Sequence, residues 1–184
     1  MAGVRNRREL AKYFNELGFK KGAEIGCASG EYSEFLFRSI PDLELWCIDS
    51  WTVYKEERRK QRAYQHIANY EFIKKRLAKY NAHIIKAFSM DAVKKFEDES
   101  LDFVFIDGNH SFDYVMEDII EWSKKVRKGG IISGHDYYHF RHSGVIEAVN
   151  AYTGAYGIKL NLTERNEAWK RFDDGEPSWW WVKK

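Results

Sequence analysis

Between residues 22 and 152, short apolar runs alternate with longer segments whose apolar residues recur every three or four positions. The short runs read as strands and the three-four repeats as helices. Regular alternation of the two calls for a parallel sheet with right-handed crossovers and helices on both faces. The predicted strands are 22–26, 43–49, 83–87, 101–106 and 129–134. The predicted helices are 5–17, 31–39, 54–80, 91–96, 112–127 and 144–152. Leu10, Tyr13, Phe14 and Leu17 form the stripe of the first helix, and Tyr64, Ile67, Phe72, Ile73 and Leu77 that of the long one. The run Leu101–Ile106 is almost continuously apolar, as expected of a strand buried on both faces.

Beyond Gly157 the pattern changes to short β-rich runs at 158–162, 168–172 and 178–182. They leave no room for crossover helices, so antiparallel edge strands are expected. In Ser178-Trp-Trp-Trp-Val182, alternation places Trp179 and Trp181 on one face and Trp180 on the other. Trp180 then meets either a helix or a second copy of the chain, which leaves a homodimer open.

A length of 184 residues suits one domain, 1–184, with a sizeable core. A 44% hydrophobic and 32% charged composition is that of a globular protein. Net charge is +2, which gives no reason to expect nucleic acid as a partner. No run of eighteen apolar residues predicts a membrane span, and the basic start lacks an apolar signal core, so a cytoplasmic location is expected. Cys27 and Cys47 fall on or beside predicted strands and read as free, reduced, structural thiols.

Two motifs at strand ends point to a nucleoside. In Ala23-Glu-Ile-Gly-Cys-Ala-Ser-Gly-Glu-Tyr-Ser33, a strand ends in a glycine turn and a helix begins. Gly26 permits the sharp turn, and Gly30 permits close approach of backbone to a ligand or to the next helix. Asp49 ends the second strand, where an acid can accept both ribose hydroxyls or cap the next helix. The dinucleotide fingerprint Gly-x-Gly-x-x-Gly is absent, because Ala28 stands at its middle glycine. Glu24 beside the turn would also repel a phosphate. Both facts favour S-adenosylmethionine over a nicotinamide dinucleotide.

Taken together, Glu24-Ile-Gly26…Gly30, Asp49, Ser89-Met-Asp91, Ile106-Asp-Gly-Asn-His110 and Gly129-Gly-Ile-Ile-Ser-Gly-His-Asp-Tyr137 resemble successive motifs of class I S-adenosylmethionine-dependent methyltransferases. The nearest likeness is to the small-molecule O-methyltransferase branch, over about residues 20–150. The resemblance implies an α/β, Rossmann-like doubly wound sheet of seven strands with the last one reversed. It implies that Glu24, Gly26, Ala28, Gly30 and Asp49 hold the methyl donor, with Ser50 and Trp51 beside them and Ser89 and Met90 near the adenine.

Asp107 and His110 follow the fourth strand, and His135, Asp136 and Tyr137 follow the fifth. By resemblance to metal-dependent O-methyltransferases, Asp107, His135 and Asp136 stand at metal-ligand positions. Asp107 also faces the donor, and His110 stands where a base can sit. A divalent cation would lower the pKa of an acceptor hydroxyl, and a histidine could take its proton. A histidine ligand suits Mn²⁺, Fe²⁺ or Zn²⁺ better than Mg²⁺. Two alternatives stay open: a metal-free site with His110 or His135 as the base, and residues that merely cap strands and helices. The segment Tyr137–Gly144, with His139, Arg141 and His142, is a candidate acceptor loop. His66 and His83 read as ordinary helix and strand residues.

The expected activity is methyl transfer to a small-molecule acceptor, at oxygen. The rival readings are N-methylation or a nucleic-acid substrate, a non-catalytic donor-binding protein, and a nicotinamide-dependent oxidoreductase.

Overall fold

The computed structural model describes residues 3–52, 60–141, 143–165 and 175–184. Helix α1 (Arg7–Glu16) starts at Asn6, whose side chain accepts the Glu9 amide at 2.9 Å. It ends in paired bonds from Gly18 N to Asn15 O and from Phe19 N to Phe14 O, with Gly18 left-handed at φ 73°. The chain then alternates as β1 (Lys21–Ile25), α2 (Glu31–Ser39), β2 (Glu44–Asp49), α3 (Lys60–Leu77) and β3 (Ala82–Lys86). Next come α4 (Ser89–Ala92), which runs into a 3₁₀ turn, then β4 (Leu101–Ile106), α5 (Phe112–Lys125), β5 (Val126–Gly134) and α6 (Val145–Ala155). Two short strands follow, β6 (Asn161–Leu162) and β7 (Trp179–Val182).

The sheet has seven strands in the order β3-β2-β1-β4-β5-β7-β6. β1 to β5 pair in parallel, and β7 runs antiparallel to both β5 and β6. The doubly wound reading and the reversed strand are both realised. Chain order reverses between β1 and β4, and a doubly wound fold binds ligands at such a switch point.

Each face of the sheet carries its own core. One cluster joins Leu10 and Phe14 of α1, Leu36 of α2, and Ile73 and Leu77 of α3. The other joins Val115, Ile119 and Trp122 of α5 with Val145 and Val149 of α6. β4 feeds both, sending Phe103 and Phe105 to the first and Val104 and Ile106 to the second. Trp179 and Trp181 enter the second, whereas Trp180 turns to the first and meets Tyr13 of α1 with ring centroids 5.5 Å apart. Of the two partners open to Trp180, the fold supplies the helix.

The long helix departs from its expected stripe. Ile73 and Leu77 are buried, but Ile67 and Phe72 are about 60% exposed. Phe72 adjoins the buried Ile73, and the two cannot share one narrow face of a helix. The side chain of Tyr64, residues 53–59 and the run 168–172 lie outside the described residues. Cys27 and Cys47 are free and buried, as expected. Among the described residues no helix is long and apolar enough to cross a membrane.

Candidate functional site

A cavity of about 510 Å³ opens beyond the carboxyl ends of β1, β2, β3 and β4. Its rim is set by the turn after β1. Gly26 has φ 89°, and a Cβ there would lie 2.1 Å from the carbonyl oxygen of Asp107. Only glycine lets these two strand ends meet. Ala28 follows at φ 44° and lines the cavity. Gly30, at φ 78°, makes its close approach to Ile73 of α3 rather than to the cavity.

Asp49 lines the cavity and also organises it. One carboxylate oxygen accepts the Ala28 amide at 3.0 Å, and the other accepts the Trp51 amide at 2.8 Å. The carboxylate thus holds the loop backbone while it faces the cavity. Ser50 is on the wall. Trp51 is off it: its indole donates to the Ala28 carbonyl at 2.8 Å and its ring packs on Tyr70 of α3. Ser89 and Met90 line the side nearest β3.

Glu24 also lies off the wall. It is buried beneath the turn, where the Ser33 hydroxyl donates to its carboxylate. Burial lifts its pKa to about 7, against the pull of Ser33, and Asp107 adds to the rise.

Asp107 joins the cavity to a cluster beyond it. With Gly108 and Asn109 it lines both the large cavity and a small cleft that reaches His110 and His135. His110 Nε2 lies 2.8 Å from Asp136 Oδ2 and 3.6 Å from Asp107 Oδ1. His135 Nδ1 lies 3.1 Å from Asp136 Oδ1 and 4.0 Å from Asp107 Oδ2. Asp136 is held at φ 57°, in the sparsely used left-handed region, as strained functional residues often are. Burial works against charge on His110, but Asp107 and Asp136 outweigh it and raise the ring to about 10. His135 is raised in the same way, and the two rings hold Asp136 well below the usual carboxylate range.

The ligating atoms of Asp107, His110 and Asp136 lie within 4.8 Å of one another. His110 Nε2 is buried and outside the alignment of a hydrogen bond, and His135 Nε2 is buried with no partner among the described residues. Two carboxylates and an imidazole at this spacing fit a divalent cation. His110, read from sequence as a base, is the ring that shares this triad. His135, read as a ligand, braces Asp136 from the buried side. On the outer side Phe140 meets His110 edge-on at 5.3 Å and stacks on Tyr138 at 4.6 Å. His139 is exposed, 3.8 Å from Glu147, and His142 lies outside the described residues.

Several lining residues escaped the sequence reading. His66 comes from α3, and Tyr114, Glu117 and Asp118 come from α5. Arg7 of α1 is buried, lies 3.7 Å from Asp107 Oδ2 and sits 5.1 Å over the Tyr32 ring. Arg7 and Asp118 did leave a signal. Each is a charge on the inward stripe of its helix, Arg7 beside Leu10 and Phe14, Asp118 beside Val115 and Trp122. Burial raises Asp118 to about 7, against the hydrogen bond it receives from Ser89.

Comparison with known proteins agrees with this architecture. The family model described as a methyltransferase domain matches residues 23–137. No curated protein matches the chain in sequence. An O-methyltransferase from Bacillus cereus, solved in complex with SAH, is 14% identical with a TM-score of 0.63 over 96% of this chain and 80% of that one. A precorrin-6y C5,15-methyltransferase from Geobacter metallireducens is 17% identical with a TM-score of 0.63 over 96% and 87%. One of these is named for oxygen and the other for carbon, so the shared fold leaves the acceptor atom open. The strand order, the cavity at its switch point and the family match place the chain in the methyltransferase-domain family, as a class I S-adenosylmethionine-dependent methyltransferase.

Proposed function

We propose that the chain transfers the donor's methyl group to a hydroxyl of a small-molecule acceptor, assisted by a divalent cation on Asp107, His110 and Asp136. The observation that carries this reading is the triad itself, three ligating atoms within 4.8 Å beside the donor cavity. In the transfer, the acceptor oxygen bonds to the methyl carbon while the carbon–sulfur bond breaks, sulfur keeps the electron pair as S-adenosylhomocysteine, and the hydroxyl proton leaves to solvent. When bound, the cation would orient the acceptor oxygen and make its proton easier to lose. The protein's part is alignment. Asp49 and the Gly26 turn fix the donor, Asp107 bridges donor and acceptor compartments, and His135 braces Asp136. Phe140 packs against His110 with Tyr138 stacked on it, and the pair offers an aromatic face to the acceptor.

A metal-free reaction with His110 as the base is the second reading; His110 lies 2.8 Å from Asp136 and holds its proton to about 10, so this route predicts turnover that rises with pH toward that value. Transfer of labelled methyl to a panel of phenolic, sugar and polyketide hydroxyls, with amines as controls, separates the two. Turnover lost on chelation and restored by Mn²⁺ or Mg²⁺ supports the cation, and turnover that survives chelation supports the base. Asp136→Ala should lower turnover by roughly 100-fold. S-adenosylhomocysteine affinity should stay within about threefold, because Asp136 is not on the donor cavity wall. An equal loss of donor affinity would count against this division of labour.

A further inference from the structure

Asp118 is only 4% exposed, yet it lines the donor cavity. Its carboxyl ends a directed chain of hydrogen bonds. Trp122 Nε1 donates to Ser89 Oγ at 2.8 Å, and Ser89 Oγ donates to Asp118 Oδ1. With the carboxyl ionised the direction is forced: an indole N–H can only donate and a carboxylate can only accept, so the serine uses its single proton on Asp118. Oδ1 is thereby committed. Oδ2 has no protein partner among the described residues. It lies 3.9 Å from where a Cβ on Gly108 would be, and Gly108 lines the same cavity. A carboxyl this deep, with one oxygen engaged and one turned to an opening, lacks a partner that a ligand can supply.

The layout of the cavity indicates which part of the donor arrives there. The reacting end must face Asp107, beyond β4. The ribose belongs at Asp49, at the end of β2. The base is therefore carried toward β3 and its loop, where Ala87, Ser89 and Met90 form the wall and α5 closes it. Asp49, Asp107, His66, Tyr114 and Glu117 are the other titratable groups on that wall.

We propose that Asp118 reads the adenine of the donor, its Oδ2 accepting a hydrogen bond from the exocyclic amine, with the Trp122–Ser89 chain aiming the carboxyl. The inference rests on the assignment of this cavity to S-adenosylmethionine. A 6-oxo purine would set its carbonyl oxygen against Oδ2, acceptor against acceptor, and be rejected.

Calorimetric binding of S-adenosylhomocysteine and S-inosylhomocysteine at about pH 8.5, where the carboxyl is ionised, tests this. Wild type should prefer the adenosyl ligand by roughly 10- to 100-fold. In Asp118→Asn, Ser89 still donates to Oδ1, which turns the amide NH₂ toward the cavity, so the preference should reverse. Ser89→Ala releases the aim, and the wild-type preference should narrow by about tenfold; this variant carries the test if Asp118→Asn does not fold. A wild-type preference left unchanged in either folded variant overturns the assignment of Asp118. If wild type binds neither ligand, the donor reading itself falls, and this one with it.

Discussion

Glu24 and Gly26 are two residues apart on one strand end and act in different ways. Gly26 is a steric requirement. Alanine there would put a methyl group 2.1 Å from a backbone oxygen at φ 89°. Gly26→Ala should cost about 2–4 kcal/mol and abolish S-adenosylhomocysteine binding, readable by denaturant unfolding and calorimetry. Glu24 is an electrostatic requirement. Its folded pKa of about 7 lies above the ordinary carboxylate value, so the folded state holds the proton more tightly than the unfolded one. The stability this provides is complete below the unfolded value and is lost as pH rises through about 7. Glu24→Gln keeps a neutral partner for Ser33 and removes the titration. Relative to this variant, wild type should lose stability between about pH 5 and 8, on the order of 3 kcal/mol. Parallel melting curves for the two proteins across that range would refute the account. The same burial alters one sequence argument. A carboxyl half neutral near pH 7 repels a phosphate weakly, so the case against a dinucleotide rests on Ala28.

At the scale of elements, β7 shows how a terminal strand supports the site. Trp179 is buried between the sheet and α6, and its indole donates to the His135 carbonyl at 3.1 Å. The strand thus holds the backbone of the residue that braces Asp136. Trp179→Phe leaves that carbonyl without its partner and removes part of a packed ring. It should cost about 2 kcal/mol, a fall in Tm of about 4–8 °C, and lower turnover more than donor binding. The alternation of the three tryptophans was legible in the sequence because a strand has period two. The exposure of Ile67 and Phe72 was not. A helix of strongly polar composition tolerates apolar residues on several faces, and only contact with α2 and the sheet selects the buried one.

For the whole molecule, ligand and fold should be linked. The cavity is lined by β1, β2, α3, α4, α5 and the turns that follow β1, β3 and β4, so a ligand filling it ties together elements far apart in sequence. S-adenosylhomocysteine at about 100 times its dissociation constant should stabilise the fold by about 2.7 kcal/mol, a rise in Tm of about 5–10 °C. NAD at the same concentration should give none. A shift with NAD alone would reverse the donor assignment.

The sequence by itself determined the alternation of strands and helices between residues 22 and 152, because period and glycine placement act locally. It also determined the strand-end positions of Asp49, Asp107 and Asp136, because residues that end adjacent parallel strands must gather at one edge of the sheet. Only the tertiary structure decided where the side chains of that edge go. Glu24 turned inward to Ser33, Trp51 clamped a loop, His110 rather than His135 joined the compact triad, and Asp118 reached the cavity from a helix. Each of these outcomes depends on packing between elements brought together by folding, where desolvation and the nearest available partner decide how a polar group is oriented.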